Sequence, residues 1–280
     1  MPFTGMAFTA LLARRSVLRF DPMRLHLAVL CLTASTAMSA PTTKKLAWEL
    51  DGAPYEGVLV FDAKGPARPA LVMVPNWLGV TPEAVKQGEL VASRGYVVLV
   101  ADVYGTKSRP ANRDEAGKAA GGLKGDRPLL RKRMAKALEV LLAQKDAKLD
   151  ATKVGAIGFC FGGTAALELA RAGAKLSGVV SFHGGLSSPA PDDAKHIVGK
   201  VLALHGADDP SVPPEEVAGF EAEMRAAKVD WQLVAFGNTV HSFTDPGANM
   251  PGRAQYSPIV AARAYALMDS WFAEAFTPAK

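Results

Sequence analysis

Cys160 lies in the run Gly158-Phe159-Cys160-Phe161-Gly162-Gly163, behind the apolar stretch Val154-Gly155-Ala156-Ile157 and ahead of a helix-like segment starting at Thr164. A strand, a glycine-flanked turn and a helix present one side chain as a nucleophile, in the pattern G-x-Nuc-x-G. The glycines on either side leave room for a strained backbone at the middle position. Here the middle group is a thiol. At the head of a helix, unpaired N–H groups and the dipole favour its thiolate. A nucleophile of this kind needs a base, a group that orients the base, and donors for a developing oxyanion. Further on, Val201–Leu204 runs into His205-Gly206-Ala207-Asp208-Asp209-Pro210, and Val240-His241-Ser242-Phe243 follows the next apolar run. His241 is the candidate base and acid, sharing the thiol proton and passing one to a leaving alcohol. Asp209 is the candidate orienting carboxylate, with Asp208 as its competitor. His183 and His205 also end apolar runs but precede the expected base position, and read as structural; His196 reads as a surface residue.

These groups need elements that bring them together. Lys45–Leu50 and Tyr55–Phe61 read as an opening strand pair. Ala70–Val74 and Tyr96–Ala101 are continuous apolar runs, as in strands buried on both faces of a parallel sheet. Val154–Ile157, Gly178–Phe182, Val201–Leu204 and Gln232–Phe236 supply further strands. Helices are expected over Pro82–Arg94, Pro128–Ala143, Thr164–Ala172, Pro214–Ala227 and Pro258–Phe276. Asn112–Asp126, rich in Gly, Ala and charge, reads as an irregular loop near the site. The alternation predicts an α/β fold, a mostly parallel central sheet with helices on both faces. Cys160, Asp209 and His241 then fall at carboxyl ends of strands, where open α/β sheets gather their ligands.

The 280 residues, 49% hydrophobic and 21% charged, suit one such domain over 40–280 behind a leader over 1–39. From Met23 the leader reads as a secretory signal. Arg24 is its positive start, Leu25–Leu32 its apolar stretch, and the small residues from Ala34 to Ala40 a cleavage region with Ala37 and Ser39 at minus three and minus one. Residues 1–22 would then be an overlong start or an extended positive region. The expected compartment is secreted, in the periplasm. The apolar run is too short for a stable membrane span. Removing the leader's four arginines and one aspartate leaves 28 basic against 26 acidic side chains. With no basic stripe carrying aromatics, nucleic acid is not an expected partner. Cys31 would leave with the leader, so Cys160 has no intramolecular disulfide partner, and this favours a functional thiol. No C-x-x-C, H-E-x-x-H or G-x-G-x-x-G occurs in the remainder, so neither metal nor organic cofactor is expected.

The ordered set Gly158–Gly163, His205–Pro213, His241-Ser242-Phe243 and Ala101-Asp102-Val103-Tyr104 resembles the dienelactone hydrolase family of the α/β-hydrolase fold, from about Tyr55 to the last helix. The resemblance implies a Cys160 nucleophile, an Asp209 acid and a His241 base, with Asp209 preferred to Asp208 by its spacing from Val212. It implies hydrolysis of a small ester or lactone through a thioester acyl-enzyme. The oxyanion donors would be the Phe161 N–H and an N–H after the Ala70–Val74 run, that of Trp77.

Two positions depart from the family pattern. A glutamate usually stands directly before the oxyanion-hole residue; here it is Asn76, which cannot take a proton, so that either His241 and the helix end alone ionise Cys160 or Asn76 donates a hydrogen bond to the oxyanion. The arginines that hold the substrate carboxylate in dienelactone-degrading members align with Thr106 and Asp245. Lys107, Arg109 and Arg253 are the nearby cations available to replace them. Tyr104 is expected to bind substrate beside Asn76, and Trp77 and Phe161 to favour an apolar group. The competing reading is an α/β-hydrolase scaffold that has lost turnover and binds a ligand or partner.

Overall fold

The computed structural model describes residues 41–277; the leader, with its expected signal and Cys31, lies outside them. In chain order the described elements are β1 (Thr42–Leu50), β2 (Ala53–Phe61), β3 (Arg68–Val74), α1 (Pro82–Ala92), β4 (Val97–Val100), α2 (Arg113–Gly125), α3 (Arg127–Leu142), β5 (Leu149–Phe159) and α4 (Phe161–Arg171). There follow β6 (Gly178–Phe182), a 3-10 turn (Pro191–His196), β7 (Lys200–Gly206), α5 (Pro214–Ala227), β8 (Trp231–Phe236), β9 (Asn249–Met250), β10 (Ala254–Gln255) and α6 (Pro258–Ala275).

Eight strands form one sheet in the order β1-β2-β4-β3-β5-β6-β7-β8. β1, β2 and β4 pair antiparallel, and every pair from β4 to β8 is parallel. The alternating side chains of the parallel strands feed two apolar layers. Ala70, Val72, Val74, Val154, Ala156 and Val179 meet α2, α3, α4 and α5 on one face. Leu71, Met73, Ile157, Phe159, Val180 and Phe182 meet α1 and α6 on the other. This is the α/β-hydrolase architecture anticipated above, and it puts the ends of β3, β4, β5, β6, β7 and β8 along one edge.

One expectation fails. Residues Asn112–Asp126 are not an irregular loop: Arg113–Gly125 is helix α2. Its glycines concealed a complete start signal. Asn112 accepts from the Glu115 N–H at 3.0 Å, and Glu115 reaches back to the Ala111 N–H at 2.9 Å. Ala116, Ala120 and Leu123 give it a buried face at helical spacing. Asp126 ends α2 and caps α3 by accepting from the Leu129 N–H at 3.0 Å.

Candidate active site

The elbow is made by close approach as much as by conformational freedom. Cys160 has φ 56° and ψ −121°, a left-handed backbone held at the junction of β5 and α4. A Cβ on Gly158 would meet the Gly162 carbonyl oxygen at 1.9 Å, and one on Gly162 would meet the Val74 oxygen at 2.0 Å. Neither position admits a larger residue without moving backbone, and the tight turn aims the thiol outward. The Phe161 N–H opens α4, so it has no acceptor within the helix. The thiol is half-buried and lines a pocket of about 450 Å³ with Asn76, Trp77, His241, Asp245, Arg113 and Arg253.

His241 follows β8 and Asp209 follows β7. Their contact is His241 Nδ1 to Asp209 Oδ2 at 2.6 Å, with Asp209 4% exposed. The other Asp209 oxygen accepts from the Ser211 N–H at 2.8 Å, which fixes the carboxylate. Asp208 makes no such contact with His241, so of the two adjacent carboxylates only Asp209 faces the base. Burial works against a charged His241, but the Asp209 carboxylate and the Cys160 side chain outweigh it and hold its pKa up to about 10. The His241 carbonyl accepts from the Gln255 N–H at 3.0 Å, which pins the β9–β10 hairpin beside the pocket.

The loop after β3 is ordered by its own amide and by a tyrosine. Asn76 Oδ1 accepts from the Leu78 N–H at 3.0 Å, leaving its NH2 group as the part available to a ligand. The Tyr104 hydroxyl donates to the Trp77 carbonyl at 3.0 Å, and the Tyr104 ring stacks on Phe161 with centroids 5.8 Å apart. Tyr104 is 3% exposed and does not line the Cys160 pocket. It braces the two residues expected to supply the oxyanion donors. Burial, then the Cys160 and Asp102 charges, raise its pKa above that of a free tyrosine.

The three candidate cations separate. Arg109 gives its Nε and Nη2 to Asp102 at 3.2 and 3.0 Å and also contacts the Glu56 carbonyl, so it ties down the loop after β4. Lys107 lines a different, open depression. Arg253 does line the thiol pocket, and so does Arg113, which sequence reading missed because it starts the helix taken for a loop. His205 is buried with its Nδ1 unpartnered, and burial lowers its pKa. His196 is exposed, as expected. Among the described residues, no group of three His, Cys, Asp or Glu side chains is arranged to hold a metal ion, and no helix is long and apolar enough to cross a membrane.

With this geometry in hand, likeness to known proteins is informative. The sequence profile of the dienelactone hydrolase family matches residues 56–276. The solved structure of a dienelactone hydrolase-like promiscuous phosphotriesterase from metagenomic libraries is 38% identical, with a TM-score of 0.79, over 85% of this chain and all of that one. An uncharacterized Caenorhabditis elegans protein is 36% identical over 100 residues, 35% of this chain and 63% of its own length. A putative carboxymethylenebutenolidase from Synechocystis is 26% identical over 190 residues, 62% of this chain and 75% of its own. The chain belongs to the dienelactone hydrolase family, and is a carboxylic ester or lactone hydrolase of the α/β-hydrolase fold.

Proposed function

We propose that Cys160 attacks the carbonyl of a small ester or lactone, with His241 as proton carrier and Asp209 as its orienting acid. The observation that carries this reading is the 2.6 Å contact of His241 Nδ1 with buried Asp209, beside a thiol held at a strained elbow in the same pocket. With Nδ1 engaged, Nε2 is the nitrogen left to serve the sulfur.

In the first half-reaction the sulfur forms a bond to the carbonyl carbon, and the negative charge moves to the carbonyl oxygen. In this reading the Phe161 and Trp77 N–H groups receive that charge, with the Asn76 NH2 as a further donor. The carbon–oxygen bond to the alcohol then breaks, and the proton on His241 goes to the departing oxygen. Because the Cys160 charge helps hold that proton, its loss on acylation makes His241 a better acid at the step that needs one. In the second half-reaction His241 takes a proton from water, the hydroxide oxygen bonds to the thioester carbon, and the carbon–sulfur bond breaks. Asp209 supports the imidazolium in both halves.

The test is a stopped-flow burst with an aryl ester, wild type against Cys160→Ala. A burst equal to the enzyme concentration and lost in the variant supports the reading. Equal turnover in both proteins overturns it, and a folded wild type without turnover returns the scaffold reading. One solved relative is named a promiscuous phosphotriesterase, so an aryl dialkyl phosphate is the second probe. We also propose that residues 1–39 direct export; N-terminal sequencing of the exported protein that still found residues before Met23 would sink that part.

A further inference from the structure

His183, which the sequence suggests is structural, touches both halves of the site. It directly follows β6, at φ 40°, and is 2% exposed. Its Nδ1 lies 3.1 Å from the backbone nitrogen of Cys160, and its Nε2 lies 2.8 Å from Thr244 Oγ1, three residues beyond His241. The ring also packs edge-on against His241 and Phe243, with centroids 5.1 and 4.9 Å away.

The chemistry of these partners fixes the state of the ring. A backbone N–H can only donate, so Nδ1 is bare and accepts; the one proton of a neutral imidazole is then on Nε2, donated to Thr244. The same Cys160 N–H also reaches the Phe182 carbonyl at 3.0 Å, so the strained residue is held from two sides. A proton on Nδ1 would set donor against donor. Burial, and then the His241 charge, keep the His183 pKa well below its ordinary value, in agreement with that requirement. The other titratable side chains around it are Cys160 at the head of α4 and, across the cavity it lines, Glu83 and Lys86 of α1, Tyr265 of α6, Asp245 and Tyr256.

We propose that His183 is a positioning residue: a neutral strut that ties the Cys160 backbone to the loop carrying His241, and so sets the alignment of sulfur and imidazole. The inference rests on the thiol reading above. Three loops from three strands must meet at the site, and His183 is the side chain hydrogen-bonded both to the nucleophile's backbone and to the base's loop. Misplacement of reacting groups by about 1 Å can cost roughly a hundredfold.

Two variants separate alignment from bulk. His183→Phe keeps a ring and loses both hydrogen bonds, whereas Thr244→Val removes only the far bond. With an aryl ester, His183→Phe is expected to lower kcat per burst-competent site roughly 30- to 100-fold with KM within about twofold. Thr244→Val is expected to lower it about five- to tenfold, and Thr244→Ser to restore it. The pH profile for alkylation of Cys160 by iodoacetamide should shift in both deficient variants, since the sulfur and imidazole no longer meet squarely. A folded His183→Phe with wild-type kcat and alkylation profile overturns the proposal. If that variant does not fold, Thr244→Val decides, and an unchanged kcat overturns it. Cys160→Ala in the same assay distinguishes the failures: activity that survives it removes the thiol reading itself, whatever His183 does.

Discussion

The protein buries two clusters of charge on opposite ends of α4, and they are built on opposite rules. At the head of the helix are Cys160, His241 and Asp209. Around its remaining turns lie Arg171 and Glu168, both fully buried, with Glu223 of α5 and Arg131 of α3. There these four side chains are all paired, although neighbouring Arg127, 3.5 Å from Glu168, keeps Nε and Nη1 without a hydrogen bond. Arg171 gives Nε and Nη2 to Glu223 at 2.8 and 2.7 Å, Nη1 to Glu168 at 3.0 Å and Nη2 to the Leu186 carbonyl at 3.0 Å. Arg131 joins Glu168 at 2.7 Å to Asp193 at 2.6 Å. At the head of the helix, by contrast, Asp209 and His241 pair while the sulfur faces a pocket. Paired charges inside the core hold structure, and a reactive group that faces a pocket is where chemistry is available.

The largest expected effect tests that difference directly. Cys160→Ala should lower ester turnover by roughly 10⁴-fold or more while leaving the thermal transition within a few degrees, as measured by burst kinetics and calorimetry. Next, Asp209→Asn should lower kcat roughly a thousandfold or more, by disturbing the tautomer and charge of His241. On the other side of the comparison, Arg171→Met leaves Glu223 and Glu168 short of their partner. Breaking a buried pair in this way costs about 3–5 kcal/mol. Denaturant unfolding should show that loss, with kcat per folded molecule nearly unchanged. The double variant Arg171→Met/Glu223→Leu should recover part of it. Loss of activity in a folded Arg171→Met would mean that the two clusters are not separate.

The pH response sharpens the same contrast. The folded-state pKa of His241 is raised, to about 10 against an ordinary 6.5, so its proton is bound more tightly in the folded protein. The stability it contributes is therefore complete below about pH 6.5 and is lost as the pH rises through about 10. Wild type should lose thermal stability across that window. Asp209→Asn, which removes one of the two groups that raise the pKa, should lose less, and the difference between the two curves isolates His241 from the lysines and tyrosines that titrate nearby. Identical curves would mean that Asp209 does not hold the proton.

How legible each cluster is follows from how local its signal is. Cys160 announces itself within six residues, because a strained elbow demands glycine at fixed offsets from it. Asp209 and His241 are legible because each directly follows an apolar strand on a common edge. The Arg171 cluster has no local signature: its partners lie 37 to 62 residues apart in sequence, and Glu168 with Arg171 looks like any exposed i,i+3 pair until α4 proves buried on every side. Tyr104 is legible only in part, for a related reason. Its nearness to the site is readable, but the direction of its hydroxyl, onto the Trp77 carbonyl, is set by the fold. Helix α2 was hidden by composition, since four glycines outweighed an Asn112–Glu115 capping pair that was in plain view.

The arginines extend the comparison to one side-chain type. Arg171 is saturated by two carboxylates and a carbonyl, whereas Arg113 and Arg253 stand exposed on the pocket that holds the thiol, and among the described residues neither makes an ion pair. Among the described residues, the polar contact of the Arg113 side chain is with Met250 Sδ at 3.8 Å. They face one carboxylate on that lining, Asp245, so the mouth carries a net positive charge. An acidic ester should therefore be held better than a neutral one of the same shape. Exposed pairs of this kind are worth roughly 0.2–1 kcal/mol, so Arg253→Ala or Arg113→Ala should raise KM for the acidic ester only about two- to fivefold, with kcat and the neutral ester unaffected. Raising the salt concentration should shrink the difference, because exposed charges are screened. An equal change for both esters would assign these arginines to the shape of the mouth, and the contrast with Arg171 would then be one of burial alone.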